Sequence, residues 1–493
     1  MVHHNVEPLL MSSATSQPVS ERARTKIVAT VGPACSTEEK IGELIAAGVD
    51  VFRMNMAHGD RQQHDQIVAN IRAAASRQER PIGILVDLAG PKIRLGTLVE
   101  DPLECVMGAR LDFVAGTESK QPDELTTNYD RLLDELSVGD RVLLADGTIG
   151  LRVTATSPDR VQCEVVGPGP LRSRQGVNLP GVKLSLPSIT ERDRQNAAWA
   201  VEQNVDFVSL SFVRSPDEII ELKSMLRDLG SEAITIAKIE KPEALDCLDE
   251  IVHASGGIMV ARGDLGVEID IERTPVEQKR IIDCCTTHRR PVIVATQMLD
   301  SMQESRRPTR AEASDVANAI LDGADACMLS GETAIGKYPT ESVAVMNRIM
   351  LVTEQRLAHM PPPNREQLPL KSDVHPVTEA VVYGAAKIAD RLKAKVVVIQ
   401  THSGRTALTK AKQRDSIVTI AVSDREQTLR QMSLFWGIEP VVGAPVGGSE
   451  LREFVDQWGL ENNVLQSGDL VVLMASGDFH SGAHNQILVH EVS

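Results

Sequence analysis

The sequence predicts an α/β protein built on a (β/α)8 TIM barrel, with a small all-β domain inserted in one barrel loop and a C-terminal α/β domain on a mostly parallel sheet. Three observations predict it. Eight short β-branched runs, several apolar through most of their length, recur between residues 25 and 330, as buried parallel strands should. Helix-like stretches fill many of the gaps. The rhythm then breaks once, between the third run and the fourth, and resumes.

The runs are Thr25–Gly32, Val49–Ala57, Ile82–Asp87, Asp206–Val213, Ile234–Glu240, Gly257–Asp264, Pro291–Gln297 and Ala326–Ser330. Helical periodicity covers Glu38–Ala47, Arg61–Ser76, Ser215–Leu229, Glu243–His253, Pro275–His288, Arg310–Leu321 and Pro339–His359. Residues 1–22 lack periodicity and read as a mobile tail. The barrel is expected over 23–95 and 183–360. Residues 96–182 carry Gly-Asp and Asp-Gly turns between short alternating runs such as Arg141–Ala145 and Gly150–Thr156, and read as the inserted all-β domain. Pro361-Pro362-Pro363 marks a boundary. Beyond it, 375–493 alternates again: helix 377–392, strand Lys395–Gln400, helix 406–413, strand Ile417–Val422, helix 426–435 and strand Leu470–Ala475.

Composition narrows the function. Of 493 residues, 52 are Lys or Arg and 68 are Asp or Glu, a formal charge of -16, which argues against a nucleic-acid backbone binder. At 42% hydrophobic and 24% charged residues the chain is globular, and no apolar run reaches the ~18 residues of a membrane span. The seven cysteines are odd in number and include no Cys-x-x-Cys, so neither a disulfide framework nor a structural zinc site is expected. Reduced thiols and a cytoplasmic location are the expectation.

Chemistry in such a barrel gathers at the C-terminal ends of the strands. There stand Arg53 and Asn55, Asp87, Lys238 and Glu240, Asp264, Thr296, and Ser330-Gly-Glu-Thr333. The i, i+2 spacing of Arg53/Asn55 and of Lys238/Glu240 aims each pair to one face of its strand. Glu240 and Asp264 offer oxygen ligands to one hard cation, with Mg2+ the first choice. Lys238 and Arg53 beside it would hold a phosphoryl group and neutralise developing charge. Each residue has a plainer reading: a Lys-x-Glu pair can be an ordinary ion pair, an Asp after Gly a turn or cap, and Arg53 a structural salt bridge. Their joint placement at successive strand ends favours a site for a small phosphorylated anion. Gly331–Tyr338 nearly fits a phosphate-binding P-loop, but Tyr338 replaces the Ser or Thr that would ligate Mg2+. Cys284-Cys285 lie in a helical pattern and read as partly buried filler.

Several segments resemble the pyruvate kinase family: Arg53-Met-Asn-Met-Ala-His-Gly59, Leu85-Val-Asp-Leu-Ala-Gly-Pro-Lys-Ile-Arg94, Gly176-Val-Asn-Leu-Pro-Gly181, Ile236-Ala-Lys-Ile-Glu240, Ile258-Met-Val-Ala-Arg-Gly-Asp-Leu-Gly266 and Val294-Ala-Thr-Gln-Met298. The longest spans Arg307–Gly323 and continues through Met328–Thr333. The resemblance covers about residues 23–493 in the family's order. It implies phosphoryl transfer from phosphoenolpyruvate to ADP, in the cytoplasm, by a homotetramer. It assigns Lys238 to the phosphoryl group in transit, Arg53 to the same phosphate, and Glu240 and Asp264 to Mg2+, with Mn2+ as a substitute. Gly263, Asp264 and Thr296 would line the substrate carboxylate, with Thr296 near the protonation path. Asn55, His58, Arg94 and Gln175 match positions near the nucleotide, over which the 96–182 domain should close as a lid. The rivals are another metal-dependent barrel acting on pyruvate or phosphoenolpyruvate, and a metabolite sensor with weakened catalysis.

Two departures stand out. The family often holds K+ on an Asn, a Ser, an Asp and a Thr carbonyl, with a Glu nearby. Here Asn55 and Asp87 persist, but Ala57 and Leu88 stand at the Ser and Thr positions and Lys92 at the Glu position. K+-independent members carry this Lys, so the resemblance implies that K+ is not required and that the Lys92 ammonium replaces it. Gln175 stands where a Lys usually meets the nucleotide phosphates, which puts nucleotide preference in question. In the C-terminal domain, Thr401-His402-Ser403-Gly404-Arg405-Thr406 links a strand to a helix. Such a turn can bind phosphate or act as a plain helix cap. In the family it belongs to a sugar-phosphate or nucleotide effector site, with Ser476–Gly482 as a companion loop.

Overall fold

A computed structural model of the chain describes residues 22–359, 374–445, 448–475 and 486–493. Most of the expected N-terminal tail, the Pro361-Pro362-Pro363 boundary and the Ser476–Gly482 loop lie outside the described residues. Eight parallel strands close a barrel: β1 (Lys26–Thr30), β2 (Val51–Asn55), β3 (Gly83–Leu88), β4 (Phe207–Leu210), β5 (Ile234–Ile239), β6 (Gly257–Ala261), β7 (Val292–Ala295) and β8 (Ala326–Leu329), with β8 returning to β1. Seven of the sequence-predicted barrel runs hold one shorter strand each, while β3 matches its run in length but is shifted one residue onward, past Asp87 to Leu88.

Alternation along the strands decides what lies inside. Val28, Val51, Leu85, Phe207, Ile236, Met259, Ile293 and Ala326 form the interior core, while neighbours such as Ile27, Phe52, Ile84 and Val208 pack against the outer helices. One period higher the inward positions are Arg53, Asp87, Ser209 and Lys238. Cross-strand register puts Thr30 opposite Arg53 and Ser209 opposite Asp87. The polar residues therefore form one layer above an apolar one, as the barrel mouth requires.

The helices begin where capping chemistry dictates. Thr37 caps Glu38–Ala47, and Asp60, Thr190 and Thr309 make capping boxes for Arg61–Arg77, Glu191–Glu202 and Arg310–Asp322. The sequence pattern does not mark Glu191–Glu202. It also runs Glu243–His253 together, where the structure has Pro242–Asp246 and Leu248–Ala254.

The insertion after β3 is a six-stranded sheet with a two-stranded ribbon beside it, packed on its own core around Phe113, Leu151 and Cys163. The C-terminal sheet runs Ile438–Pro440, Val418–Val422, Val396–Gln400, Leu470–Ala475 and Gln486–Glu491, all parallel except the last. Helices Pro376–Leu392, Arg405–Ala411, Glu426–Met432 and Gly448–Glu461 accompany it. Met432, Leu434 and Phe435 share one core cluster with the barrel interior, so this domain closes the barrel floor. Among the described residues no helix is long and apolar enough to cross a membrane.

Candidate active site

The barrel mouth holds a buried network of alternating charge. Asp87, inward at the end of β3, accepts hydrogen bonds from Arg53 Nε at 2.8 Å and from Ser209 Oγ at 2.6 Å. Lys238 Nζ lies 3.5 Å from Asp87 Oδ2 and 2.8 Å from Glu240 Oε1, and donates to Ser211 Oγ at 2.8 Å. Arg53 Nη1 reaches Thr30 Oγ1 at 3.0 Å. Two cations and two carboxylates, each almost enclosed by protein, thus share one small volume.

Their electrostatics follow from that crowding. Burial alone would push the Asp87 carboxyl up, but Lys238, Arg53 and the Ser209 hydroxyl outweigh it and hold it below the usual carboxylate range. Burial would strip Lys238 of its proton; Asp87 and Glu240 outweigh that and raise its pKa, so the ammonium persists. Glu240 goes the other way. Burial and the nearby Asp264 raise its proton affinity against the pull of Lys238. Its Oε2 accepts from the Phe212 amide at 2.8 Å, whereas its buried Oε1 touches the Lys238 ammonium without a well-directed hydrogen bond. A buried carboxylate oxygen with spare valence, repelled by a second carboxylate, is the donor set a hard divalent cation fits.

Asp264 does not end β6, as the sequence suggests it should. The strand stops at Ala261 and the helix Arg262–Glu268 starts at once, with Gly263 and Asp264 in its first turn. Thr296 follows β7 at φ +72°, left-handed backbone that a β-branched residue rarely adopts. Its hydroxyl donates to Ala295 O at 2.6 Å and accepts from Gly263 N at 2.7 Å. Arg262 donates to Asp315 at 2.8 Å and to Thr296 O at 2.8 Å, which locks the two loops together. The near P-loop segment has a structural use here: buried Glu332 accepts from Leu299 N at 3.0 Å and Ser330 N at 2.7 Å.

The other expected site residues lie toward the inserted domain. Asn55 ends β2 and caps the Ala57 amide at 3.1 Å; His58 is exposed just beyond. Arg94 bridges to Gly176 and donates to Arg174 O at 3.2 Å, while Gln175 Oε1 accepts from Arg172 N at 2.8 Å. Leu88, the last residue of β3, is buried, and its carbonyl accepts from Ser211 Oγ at 2.8 Å. The Lys92 ammonium lies 3.8 Å from Asp146 of the inserted domain. The inserted domain is tied to the barrel where Asn178 donates to buried Glu268 at 3.0 Å and Lys241 pairs with the same oxygen at 2.7 Å. In the C-terminal domain Gly404 N donates to Thr401 Oγ1 at 3.1 Å and His402 pairs with Asp424 at 2.9 Å; Arg405 and Thr406 open a helix of seven residues.

Sequence reasoning misses Thr30, Ser209, Ser211 and Glu268. The signal for two of them is present: Ser209 and Ser211 are polar at i, i+2 in an otherwise apolar run, the inward phase of the strand.

Comparisons with known proteins agree with this geometry. A family model described as "Pyruvate kinase, barrel domain" matches residues 22–343, and one described as "Pyruvate kinase, alpha/beta domain" matches 379–490. A pyruvate kinase of Bacillus licheniformis is 41% identical over 477 residues, 95% of this chain and 80% of the relative. One of Mycobacterium tuberculosis is 40% identical over 472 residues, 95% of this chain and 98% of the relative. A crystal structure of a pyruvate kinase from Cryptosporidium parvum superposes with a TM-score of 0.87 at 33% identity, covering 96% of this chain and 97% of that one.

Proposed function

This chain belongs to the pyruvate kinase family and is a phosphotransferase, and on that premise we propose that it transfers the phosphoryl group of phosphoenolpyruvate to ADP using Mg2+ and without a requirement for K+. The observation that carries the reading is the Arg53–Asp87–Lys238–Glu240 network, which holds the Lys238 ammonium in its charged form beside the Arg53 guanidinium inside a buried mouth.

The chemistry breaks the P–O bond of phosphoenolpyruvate and forms one to the terminal phosphate oxygen of ADP; the enolate left behind takes a proton at its methylene carbon. Lys238, locked in its charged form, holds the phosphoryl oxygens through transfer, and Arg53 reaches them from β2. Asp264 presents its first-turn amide to the substrate carboxylate, beside Gly263 and the Thr296 hydroxyl that Gly263 N holds in place. Glu240 and Asp264 would hold the divalent ion, with Mn2+ as a substitute, and that ion would supply positive charge to offset the charge that develops during transfer. Asn55, His58, Arg94 and Gln175 line the nucleotide, and lid closure excludes water.

Lys92 bears on K+. Its contact with the exposed Asp146 carboxylate is long and contributes little, so the ammonium is loosely held at the mouth beneath the lid. An ammonium there stands in for a monovalent ion as substrates draw the lid down. The loop Thr401–Thr406 is the proposed effector loop, the assembly a homotetramer and the location cytoplasmic, all by family analogy. The test is ATP formation from phosphoenolpyruvate and ADP with Mg2+ in K+-free buffer. Turnover without K+, changed less than about twofold by added KCl, is expected; absence of ATP overturns the activity, and strong activation by KCl overturns the role of Lys92.

A further inference from the structure

On the outside of the barrel, on the helices that follow two neighbouring strands, three metal-binding side chains come together. The helices are Leu248–Ala254, after β5, and Thr274–Thr287, after β6. Among the described residues, Asp249, Cys284 and His288 place one ligand atom each within 4.8 Å of one another. Cys284 and His288 are i, i+4, and the His288 amide donates to Cys284 O at 3.1 Å, so both project from the same helical face. Asp249 meets them from the other helix, its Oδ1 3.1 Å from His288 Nε2.

His288 is the informative member. Its ring is buried at 3% exposure, yet among the described residues neither ring nitrogen has a well-formed hydrogen bond, the Asp249 contact being the nearest. A buried imidazole without directed partners is costly, and bonding one nitrogen to a metal relieves it. The spacing suits this. Tetrahedral zinc with bonds near 2.0–2.1 Å sets neighbouring nitrogen and oxygen ligands about 3.3 Å apart, close to the observed contact. Arg290, nearby, is turned to the carbonyls of Val252 and His253.

We propose that Asp249, Cys284 and His288 form a zinc site that clamps these two outer helices together. Thiolate, imidazole and carboxylate select Zn2+ over Mg2+, and three protein ligands leave the fourth position to water. Binding displaces the Cys284 thiol proton to solvent, after which one thiolate and one carboxylate balance the charge of the ion. The missing Cys-x-x-Cys argues only against a site written in local sequence; this one is assembled by tertiary packing.

Co2+ is the probe, because only a thiolate ligand gives sulfur-to-cobalt charge-transfer absorption and the Glu240–Asp264 site has none. The full chain should bind Co2+ with that absorption, lose it on addition of Zn2+, and show a higher Tm with Zn2+ than with Mg2+. Cys284→Ser should abolish both the absorption and the Zn2+-specific Tm rise, and Asp249→Ala should weaken Co2+ binding at least tenfold. Both variants should retain the catalytic rate in chelated buffer with Mg2+ restored, which verifies folding. No charge-transfer absorption in the unmodified chain, or undiminished absorption in Cys284→Ser, overturns the proposal.

Discussion

The two ends of the barrel both bury carboxylates among cations, and they do so to opposite ends. At the floor, Asp50, Asp206 and Asp325 precede β2, β4 and β8. Each accepts a backbone amide of the preceding strand: Ile27 at 2.9 Å, Ile84 at 2.8 Å and Val292 at 2.8 Å. Their remaining valence is filled by Arg80, by Arg72 and Arg430, and by Lys412 and Arg414. Arg430, Lys412 and Arg414 come from the C-terminal domain, so Asp206 and Asp325 rivet two domains. At the mouth, Glu240 Oε1 lacks a directed hydrogen bond and Thr296 sits on left-handed backbone. The floor carboxylates are saturated, whereas a carboxylate at the mouth keeps unfilled valence.

The largest effect expected from this contrast is at the mouth. Lys238→Met should lower kcat on the order of 10^3-fold, about 4 kcal/mol of transition-state stabilisation, with the fold retained. Steady-state kinetics beside a thermal melt measures both. Unchanged turnover would remove Lys238 from the mechanism and erase the distinction.

At the floor the expectation inverts. Asp325→Asn keeps the shape and the Val292 contact but strands Lys412 and Arg414 as buried charges, at a cost of about 3 kcal/mol. Denaturant unfolding should register the loss, while kcat per folded molecule stays near the parent value. A selective fall in kcat would instead make the floor part of the catalytic apparatus.

A smaller effect tests the same floor by pH. Burial would raise the Glu439 carboxyl, but Arg22, Lys26 and Arg80 hold it below the ordinary range. A depressed carboxylate contributes stability that is complete above its unfolded pKa, about 4.3, and lost as pH falls through the lower folded pKa. Glu439→Gln should flatten that acid limb of the stability profile and cost on the order of 1–2 kcal/mol at neutral pH. An unaltered acid limb would show that the ion pair with Arg22 contributes nothing.

The contrast between the ends also explains what the sequence can show. Barrel strands are legible because both faces are buried, and the mouth residues because they sit where apolar runs turn polar, as Arg53, Asp87 and Lys238 do. The floor aspartates occupy mirror positions at strand starts, where an Asp reads as a turn residue; only the fold brings Lys412 and Arg430 to them. The helix Glu191–Glu202 escapes because its pattern is largely polar, and the break at Cys247 escapes because no Gly or Pro marks it. The outer Asp249–Cys284–His288 trio has only the i, i+4 pair Cys284/His288 as a local mark, and only the fold brings Asp249 to it.

The smallest expected effect isolates backbone strain from hydrogen bonding. Among the described non-glycine residues with positive φ, Thr296 is β-branched, and the conformation costs such a residue more than an unbranched one. Thr296→Ser keeps the oxygen that accepts from Gly263 N and removes only the methyl branch. Stability should therefore stay level or rise by less than about 1 kcal/mol, and kcat should remain within a few-fold of the parent. If Ser is destabilised instead, the methyl packs usefully and the left-handed turn is not strained. If Ser is stable but inactive, the branch itself positions the substrate, and the spare valence of Glu240 is then the one mark that separates the mouth from the floor.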